Sequence, residues 1–317
     1  MQTLRIATRK SKLAIWQSEM VADRLHKEYP DLKVALVPLS TRGDEILDQS
    51  LQKVGGKGLF IKELEHAMLR GDADIAVHSM KDMPAELENE FCIAAVLQRA
   101  SPFDALLTHN ATEFERLPIG AILGTSSLRR SAQLLAHRPD LNIKPLRGNV
   151  QTRIKKWQQG EFDAIVLAEA GLQRLGLEDH ISQVLQTDYC LPAAAQGIVG
   201  VECLKNNTKI FNLLQVLNAP ESQISISAER AVNYHLGGDC KTPIAAFATV
   251  NTQEIALTAL VAQADGNKIL RNSQSSFIST PETPLSECID CAKALGESVA
   301  KELLGMGADK ILAELKS

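Results

Sequence analysis

Short apolar runs alternate with amphipathic stretches along the first two thirds of the chain. Residues 4–8, 34–39 and 74–77 are apolar runs of strand length, whereas 13–25 and 60–70 repeat their apolar positions with helical spacing. Continuous apolar strands are typical of parallel sheets, which are buried on both faces. The pattern therefore predicts a β–α–β–α–β unit.

The same patterns occur a second time in the same order. A strand at 122–124 precedes a helical segment at 131–137, a strand at 143–146 ends in Arg147-Gly148-Asn149, and a helix at 150–159 precedes a strand at 163–167. Gly71 and Gly160 follow the second helix of each copy and predict its end. The repeat predicts two related α/β domains that face each other across a cleft, with ligands at the carboxyl ends of the strands.

From about residue 220 the pattern changes to that of an antiparallel sheet with helices. Strand-like runs at 244–250, 255–262 and 268–277 follow a helix at 227–236, and Asp265-Gly266 is a hairpin signal between the last two runs. A final helix is predicted over 285–304, and the apolar segment 191–203 is predicted to lead the chain back into the first domain. The predicted domains are 1–98 with 198–216 (α/β), 99–197 (α/β) and 217–317 (α+β).

Composition narrows the class of protein. The 317 residues include 34 Lys and Arg against 38 Asp and Glu, a net charge of −4, with 45% apolar and 4% aromatic residues. These values exclude a disordered chain and argue against nucleic-acid binding by bulk charge and base stacking. No apolar run reaches the ~18–20 residues of a membrane span, and Arg5 and Arg9 occupy the place of a signal peptide's apolar core. We therefore expect a cytoplasmic protein without a membrane partner.

Cations and hydroxyl groups accumulate where the predicted strands end, despite the negative total charge. Helix N-termini and guanidinium groups together favour carboxylates or phosphates, which predicts a small polyanionic ligand. The alternative is that the hydroxyl groups only cap helices and the cations are solvated. The residues at these strand ends are Arg9, Ser11, Arg42, Thr125, Ser126, Ser127, Arg129, Arg130, Arg147, Arg153 and Arg174.

A glycine-rich stretch at 53–60 ends a long loop that begins near Thr41, and this loop, 41–60, is predicted to be a mobile lid. It is not a Walker loop, because Gly58 follows Lys57 where Ser or Thr would bind magnesium. The lid residues are Lys53, Gly55, Gly56, Lys57 and Phe60.

Two further residues are candidates for chemistry. Asp82 follows a predicted strand at the ligand edge and is interpreted either as an acid–base carboxylate or as a turn former before Pro84. Cys240 lies in a glycine-containing turn beside Lys241, which favours an accessible, reactive thiol or an attachment point. Cys288 and Cys291 have C-x-x-C spacing inside a predicted helix without a second ligand pair, so no metal site is expected.

These segments resemble the porphobilinogen deaminase family, also called hydroxymethylbilane synthase. The matching segments run in family order over at least three quarters of the chain. The most specific are His78-Ser79-Met80-Lys81-Asp82 and Gly124-Thr125-Ser126-Ser127-Leu128-Arg129-Arg130.

The resemblance implies three domains, of which the first two look like the periplasmic binding-protein fold. It implies condensation of four porphobilinogen molecules into linear hydroxymethylbilane with release of ammonia, on a dipyrromethane cofactor held by a thioether to Cys240. It also implies that Asp82 is catalytic and that the enzyme is a monomer. The implied cofactor- and substrate-binding residues are Arg9, Ser11, Ser79, Lys81, Thr125, Ser126, Ser127, Arg129, Arg130, Arg147, Gly148, Arg153, Arg174 and Gln196.

Two positions depart from the family pattern, and one alternative function remains open. Asp239 stands directly before Cys240, where the family usually has glycine, and Ala195 stands where it often has glycine. The alternative is a small-anion solute-binding protein of the same two-domain fold. That class accounts for the repeat and the cations, but not for the Cys240 loop or the third domain, and it needs an export signal.

Overall fold

The chain divides into two compact units. A computed structural model describes residues 3–41, 61–238, 242–278 and 283–315. Unit 1 comprises Met1–Ala100 and Ile198–Ser222, and unit 2 comprises Ser101–Gly197 and Gln223–Ser317. Each unit is therefore built from two stretches of sequence.

Strands and helices alternate in the first 200 residues, and a run of strands follows later. Within the described residues the strands are β1 (Leu4–Arg9), β2 (Val34–Leu39), β3 (Ile75–Ser79), β4 (Phe91–Val96), β5 (Asp104–Thr108), β6 (Ile122–Gly124), β7 (Asn142–Lys144), β8 (Ala164–Ala168), β9 (Gln183–Leu185), β10 (Val199–Leu204), β11 (Ile244–Val250), β12 (Glu254–Ala262) and β13 (Ile269–Phe277). The α-helices of the same residues are α1 (Lys12–Glu28), α2 (Lys62–Leu69), α3 (Leu128–His137), α4 (Val150–Gln158), α5 (Glu169–Gln173), α6 (Thr208–Leu214), α7 (Pro220–His235), α8 (Leu285–Gly305) and α9 (Ala308–Glu314).

Unit 1 contains a five-stranded mixed sheet in the order β2-β1-β3-β10-β4. The first three strands are parallel, and β10 runs antiparallel to both of its neighbours. Side chains of a strand alternate between the two faces of a sheet. Accordingly, Ile6 of β1 packs in one core cluster with Val21 of α1, and Ala7 packs in another with Leu64 of α2. Both faces are covered, as the continuous apolar strands predict.

Unit 2 contains a second sheet with the equivalent order, β7-β6-β8-β5-β9. Its first three strands are again parallel and its fourth is antiparallel. Leu134 of α3 packs with Leu123 on one face, and Trp157 of α4 packs with Ile165 on the other. The repeat in the sequence is therefore a repeat of sheet order.

The fourth strand of each sheet lies between two strands from which it is far apart in the sequence. β10 returns from residue 199 to lie between β3 and β4, and β5 takes the same place in unit 2. The apolar pattern predicts that the segment 191–203 rejoins the first domain, but it does not predict β4, β5 or β9. The position of these strands depends on distant pairing, which a local apolar pattern does not specify.

A three-stranded antiparallel sheet, β11-β12-β13, forms the later part of unit 2. Its strands begin and end within one residue of the predicted bounds. Val232 of α7 and Val299 of α8 pack in one cluster with Leu257 of β12. The predicted fold class, two α/β domains followed by a domain with a three-stranded antiparallel sheet, is confirmed. Among the described residues no helix is both long and apolar enough to cross a membrane.

Candidate active site

The carboxyl ends of β1 and β3 lie at one edge of the unit 1 sheet, because the two strands are parallel neighbours. β1 ends at half-buried Arg9, and Ser11 caps α1 by accepting a hydrogen bond from the backbone N of Ala14 at 3.3 Å. β3 ends at Ser79. The first predicted cation site and the predicted catalytic segment therefore share this edge.

Asp82 ends a single 3₁₀ turn, Met80–Asp82, that follows β3 directly. The Met80 side chain is 2% exposed, and its backbone N donates to the carbonyl of Ile198 at 3.0 Å. Met83 is also buried, and its N donates to the carbonyl of Met80 at 3.2 Å. The turn is thus fixed by buried residues on both sides, while Asp82 itself is exposed and Lys81 is half-buried. This arrangement holds a carboxylate in place and leaves it accessible to a ligand.

Ser79 is hydrogen-bonded to a residue outside the predicted site. Gln17, on the buried face of α1, donates from Nε2 to Ser79 Oγ at 2.9 Å. The hydrogen bond links the end of β3 to α1. The sequence signal for this contact is an amide on the buried face of α1, which also contains Ser18, Val21 and Leu25.

A buried acidic cluster lies on the opposite side of β3. His78 Nε2 is 2.9 Å from Glu202 Oε2, and both side chains are buried. Glu202 Oε1 has no hydrogen-bond partner among the described residues. Burial first, and then the charge of Glu202, raises the pKa of Glu65 on α2 to about 7. The signal for this cluster was a glutamate within the apolar run of β10.

In unit 2 the equivalent edge follows β6 and is lined by three hydroxyl side chains. Ser127 caps α3 by accepting from the backbone N of Arg130 at 3.4 Å, and its own N donates to Thr125 Oγ1 at 3.2 Å. Ser126 is exposed and donates to the carbonyl of Leu146 at 3.0 Å. Ser127 and Ser11 therefore both cap helices, which is the alternative role predicted for these hydroxyl groups.

Arg129 and Arg130 form internal ion pairs with Asp104. Arg129 Nη2 lies 2.8 Å from Asp104 Oδ2, and Arg130 contacts Oδ1 through Nη2 at 2.6 Å and Nε at 3.0 Å. All three side chains are buried, and Asp104 is fully so. The sequence pattern predicts that both arginines bind a ligand. Their carboxylate partner was missed, although an aspartate opening the apolar strand β5 is an unusual feature.

Gln196 and Cys190 complete this buried network. Gln196 donates from Nε2 to Asp104 Oδ1 at 2.9 Å and to the carbonyl of Pro102 at 2.6 Å. Cys190 Sγ donates to Asp104 Oδ2 at 3.3 Å, and burial raises the pKa of this thiol to about 12. Asp104 lies where the chain enters unit 2, and Gln196 lies where it leaves. The network therefore joins the two connecting segments of unit 2.

Three further arginines follow the parallel strands of unit 2. Arg153 donates from Nε to the carbonyl of Gly148 at 2.7 Å, and Arg174 donates from Nη2 to the carbonyl of Gly197 at 2.7 Å. Burial lowers the pKa of Arg174 to about 10 and also lowers that of Arg147. At Arg147 no carboxylate among the described residues offsets the desolvation of the guanidinium group. Partly desolvated cations of this kind favour an anionic ligand.

Several predicted residues lie outside the described part of the chain. Arg42, Asp239, Cys240 and the lid residues Lys53, Gly55, Gly56, Lys57 and Phe60 belong to this group. Among the described residues no group of three or more His, Cys, Asp or Glu could hold a metal ion. Cys291 of the C-x-x-C pair instead has its Sγ 3.1 Å from Ser276 Oγ.

Cations and hydroxyl groups lie at the carboxyl ends of equivalent parallel strands in both sheets, an arrangement that favours small anions in α/β proteins. A family model described as "Porphobilinogen deaminase, dipyromethane cofactor binding domain" matches residues 4–212, and one described as "Porphobilinogen deaminase, C-terminal domain" matches residues 223–305. The chain belongs to the porphobilinogen deaminase family.

Similar proteins named porphobilinogen deaminase match this chain over almost their whole length. The porphobilinogen deaminase of Xanthomonas axonopodis pv. citri (strain 306) is 52% identical over 316 residues, covering 99% of this chain and 100% of that protein. The porphobilinogen deaminase of Stenotrophomonas maltophilia (strain R551-3) is 50% identical over 312 residues, covering 98% and 99%.

Solved structures found by comparison of folds include a periplasmic domain and a methionine-binding protein. The VFT2 domain of Bordetella pertussis BvgS has a TM-score of 0.42 at 12% identity, covering 68% of this chain and 86% of that chain. The methionine-binding protein MetQ has a TM-score of 0.43 at 14% identity, covering 68% and 88%.

The family match confirms the predicted enzyme class and the dipyrromethane cofactor. The alternative of a solute-binding protein is not favoured, because both family models and the full-length relatives belong to the enzyme.

Proposed function

We propose that this chain condenses four porphobilinogen molecules, one after another, into linear hydroxymethylbilane, and that Asp82 is its catalytic carboxylate. The observation that carries this assignment is the fixed turn Met80–Asp82, which holds an exposed carboxylate at the same sheet edge as Arg9 and Ser11. A positioned carboxylate surrounded by cations is suited to proton transfer at an anionic substrate.

Asp82 serves each condensation in three ways. Its carboxyl group gives a proton to the amine that leaves porphobilinogen as ammonia. The resulting carboxylate stabilises the electron-poor carbon that remains, since a fixed negative charge lowers the energy of a developing cation. It then accepts the proton released when the new carbon–carbon bond restores the aromatic pyrrole.

The cations bind the acetate and propionate groups that every porphobilinogen carries. In unit 1 we assign this role to Arg9 and Lys81, with Ser11 and Ser79 as hydroxyl partners. In unit 2 we assign it to Arg147, Arg153 and Arg174, with Gly148 and the hydroxyl groups of Thr125, Ser126 and Ser127. Burial of Arg147 without an offsetting described carboxylate supports this assignment. The buried Arg129, Arg130 and Gln196 support the strand end through Asp104.

The dipyrromethane cofactor fits the same set of donors, because it carries the same carboxylate groups. When bound, it supplies the free pyrrole position to which the first porphobilinogen is joined. We propose that a thioether to Cys240 holds it. This residue lies between the end of α7 and the start of β11, outside the described residues.

Substitution of Asp82 tests the catalytic assignment. We expect Asp82→Glu to retain weak turnover and Asp82→Asn to abolish it, because only the first keeps a titratable carboxyl group. Product formation from porphobilinogen is the measurement, and intact mass shows whether each variant still carries the cofactor. Equal activity in the two variants, with the cofactor present in both, contradicts the assignment.

Intact mass tests the attachment site. We expect the wild-type chain to exceed its sequence mass by one dipyrromethane, and Cys240→Ser to lose this excess. Cys291→Ser is the matched control and is expected to keep the excess mass, because Cys291 lies in α8 and not in the proposed attachment loop. A wild-type chain that has its bare sequence mass and gives no Ehrlich colour, after expression with porphobilinogen available, is evidence against the proposal.

The remaining features of the proposal concern organisation. We infer a cytoplasmic monomer with domains at 1–98 with 198–216, 99–197 and 217–317, and a lid at 41–60. Light scattering at several concentrations tests the monomer. Slower proteolysis within 41–60 when the tetrapyrrole is bound tests the lid, and equal rates with and without it contradict the lid.

A further inference from the structure

Two cysteines oppose each other on neighbouring strands of unit 1. Cys92 of β4 and Cys203 of β10 are direct partners in the antiparallel register. Their Sγ atoms are 3.8 Å apart. Directly opposed residues of an antiparallel pair have Cα atoms about 4.5–5.5 Å apart, within the ~4.4–6.8 Å that a disulfide spans. The sulfur atoms therefore need to approach only from 3.8 Å to about 2 Å, which side-chain rotation can supply.

We propose that Cys92 and Cys203 are an oxidative modification site, at which a small disulfide such as oxidised glutathione converts the two thiols into a cross-strand disulfide. This inference concerns neither the proposed catalytic carboxylate nor the cofactor thiol. It holds whether or not the proposed function is correct.

The two thiols differ in accessibility, which sets the order of the reaction. β4 is the outer strand of its sheet and Cys92 is half-buried, whereas Cys203 is fully buried. Burial, together with the neighbouring Cys92, raises the pKa of the Cys203 thiol to about 12. Cys92 is consequently the thiol that meets the oxidant, and Cys203 is the resolving thiol.

The reaction balances in two exchange steps. The Cys92 thiolate attacks one sulfur of oxidised glutathione, forms a mixed disulfide and releases one glutathione thiolate. Cys203 then attacks Cys92 Sγ, and its proton passes to the departing glutathione sulfur, so that the second glutathione leaves as a thiol. The protein thus loses two electrons and two protons, and one oxidised glutathione becomes two reduced glutathione molecules.

The disulfide closes a loop that contains all of residues 101–197, the first segment of unit 2. A cross-link over a long loop limits the freedom of the unfolded chain, so it raises the thermal midpoint. It also covalently joins the two segments of unit 1, since Cys92 belongs to the first and Cys203 to the second.

Peptide mapping of the oxidised holoenzyme tests the proposal. The full chain is incubated with oxidised glutathione, remaining thiols are alkylated in denaturant, and the chain is digested. We expect one cross-linked species that contains Cys92 and Cys203 and is two hydrogen masses lighter than the separate peptides. Cys288 and Cys291 are expected to be alkylated in the same digest and serve as an internal control.

Single variants separate the two steps. Cys203→Ser is expected to accumulate glutathione on Cys92, because the resolving thiol is gone, whereas Cys92→Ser is expected to form neither the adduct nor the cross-link. If wild-type Cys92 and Cys203 both remain alkylatable while Cys291 is oxidised, the proposal is overturned. Peptide mapping of the wild-type chain decides the matter even where a variant does not fold.

Discussion

Replacement of Asp104 by asparagine removes a negative charge that offsets two buried guanidinium groups. Asp104 is fully buried and contacts Arg129 at 2.8 Å and Arg130 at 2.6 Å. Asn has nearly the same shape, so Asp104→Asn changes the charge with little change in packing. The arginines remain charged after the substitution, because the guanidinium group does not lose its proton in proteins.

The magnitude follows from the burial of the network. Removing one partner of a buried ion pair costs about 3–5 kcal/mol, since the remaining charge stays desolvated. Asparagine Oδ1 can still accept one hydrogen bond, so we expect the lower end, a loss of about 3 kcal/mol in the free energy of unfolding. For a folding unit of ~150–250 residues this lowers the thermal midpoint by about 6–12 °C.

Urea unfolding followed by circular dichroism measures this change, with Glu113→Gln as the matched control. Glu113 belongs to unit 2 and lies 3.7 Å from Arg116, but both side chains are more than half exposed, so the control is expected to change stability little. A loss below about 1 kcal/mol in Asp104→Asn refutes the reasoning, because the two arginines would then not depend on this carboxylate.

Three further predictions concern the remaining sites. Gly200→Ala is expected to lower turnover, because the new Cβ overlaps Met80 Sδ and displaces the turn that carries Asp82; steady-state kinetics measures this loss, and unchanged kcat contradicts it. Ala195→Gly is expected to raise the free energy of unfolding by about 0.5–1 kcal/mol, because Ala195 has a φ of 62° and glycine adopts this conformation without strain. Urea unfolding measures this change, and a lower free energy of unfolding in the variant contradicts strain at Ala195. The pKa of Glu65, about 7 against an ordinary 4.5, means that the native state binds this proton more tightly, so its contribution to stability falls as pH rises from about 5 to about 7.5. Glu65→Gln should therefore gain stability relative to wild type at pH 8 and lose that advantage at pH 5, and a difference independent of pH contradicts the assignment.

Local signals predicted most of the elements. The three strands of the last sheet were predicted within one residue, because alternating apolar positions and the Asp265-Gly266 turn are properties of short segments. The glycines after α2 and α4 were predicted for the same reason, and Gly71 and Gly160 have φ values of 74° and 80°. The Ser11 and Ser127 caps also follow from neighbouring residues.

Contacts between distant residues could not be predicted in this way. Arg129 and Arg130 were recognised as cations, but their partner Asp104 is about 25 residues earlier and comes close only through the pairing of β5 with β8 and the packing of α3. His78 and Glu202 are separated by 124 residues and meet because β10 pairs with β3. Ala195 has a positive φ, which glycine adopts more readily than other residues. The glycine that the family often has at this position is the sequence signal for this conformation.

The place of β10 has a consequence for synthesis of the chain. Among the strands that the structure describes, β4 pairs with β10 alone, and β10 begins at Val199. A nascent chain that has emerged only as far as Val96 therefore has β1, β2 and β3 to assemble. β4 waits for about 100 more residues, which takes about 5–20 s at elongation rates of about 5–20 residues per second. The ribosome thus delivers β5 to β9, the five strands of the α/β sheet of unit 2, before β10 emerges, so the sheet that is begun first is completed second.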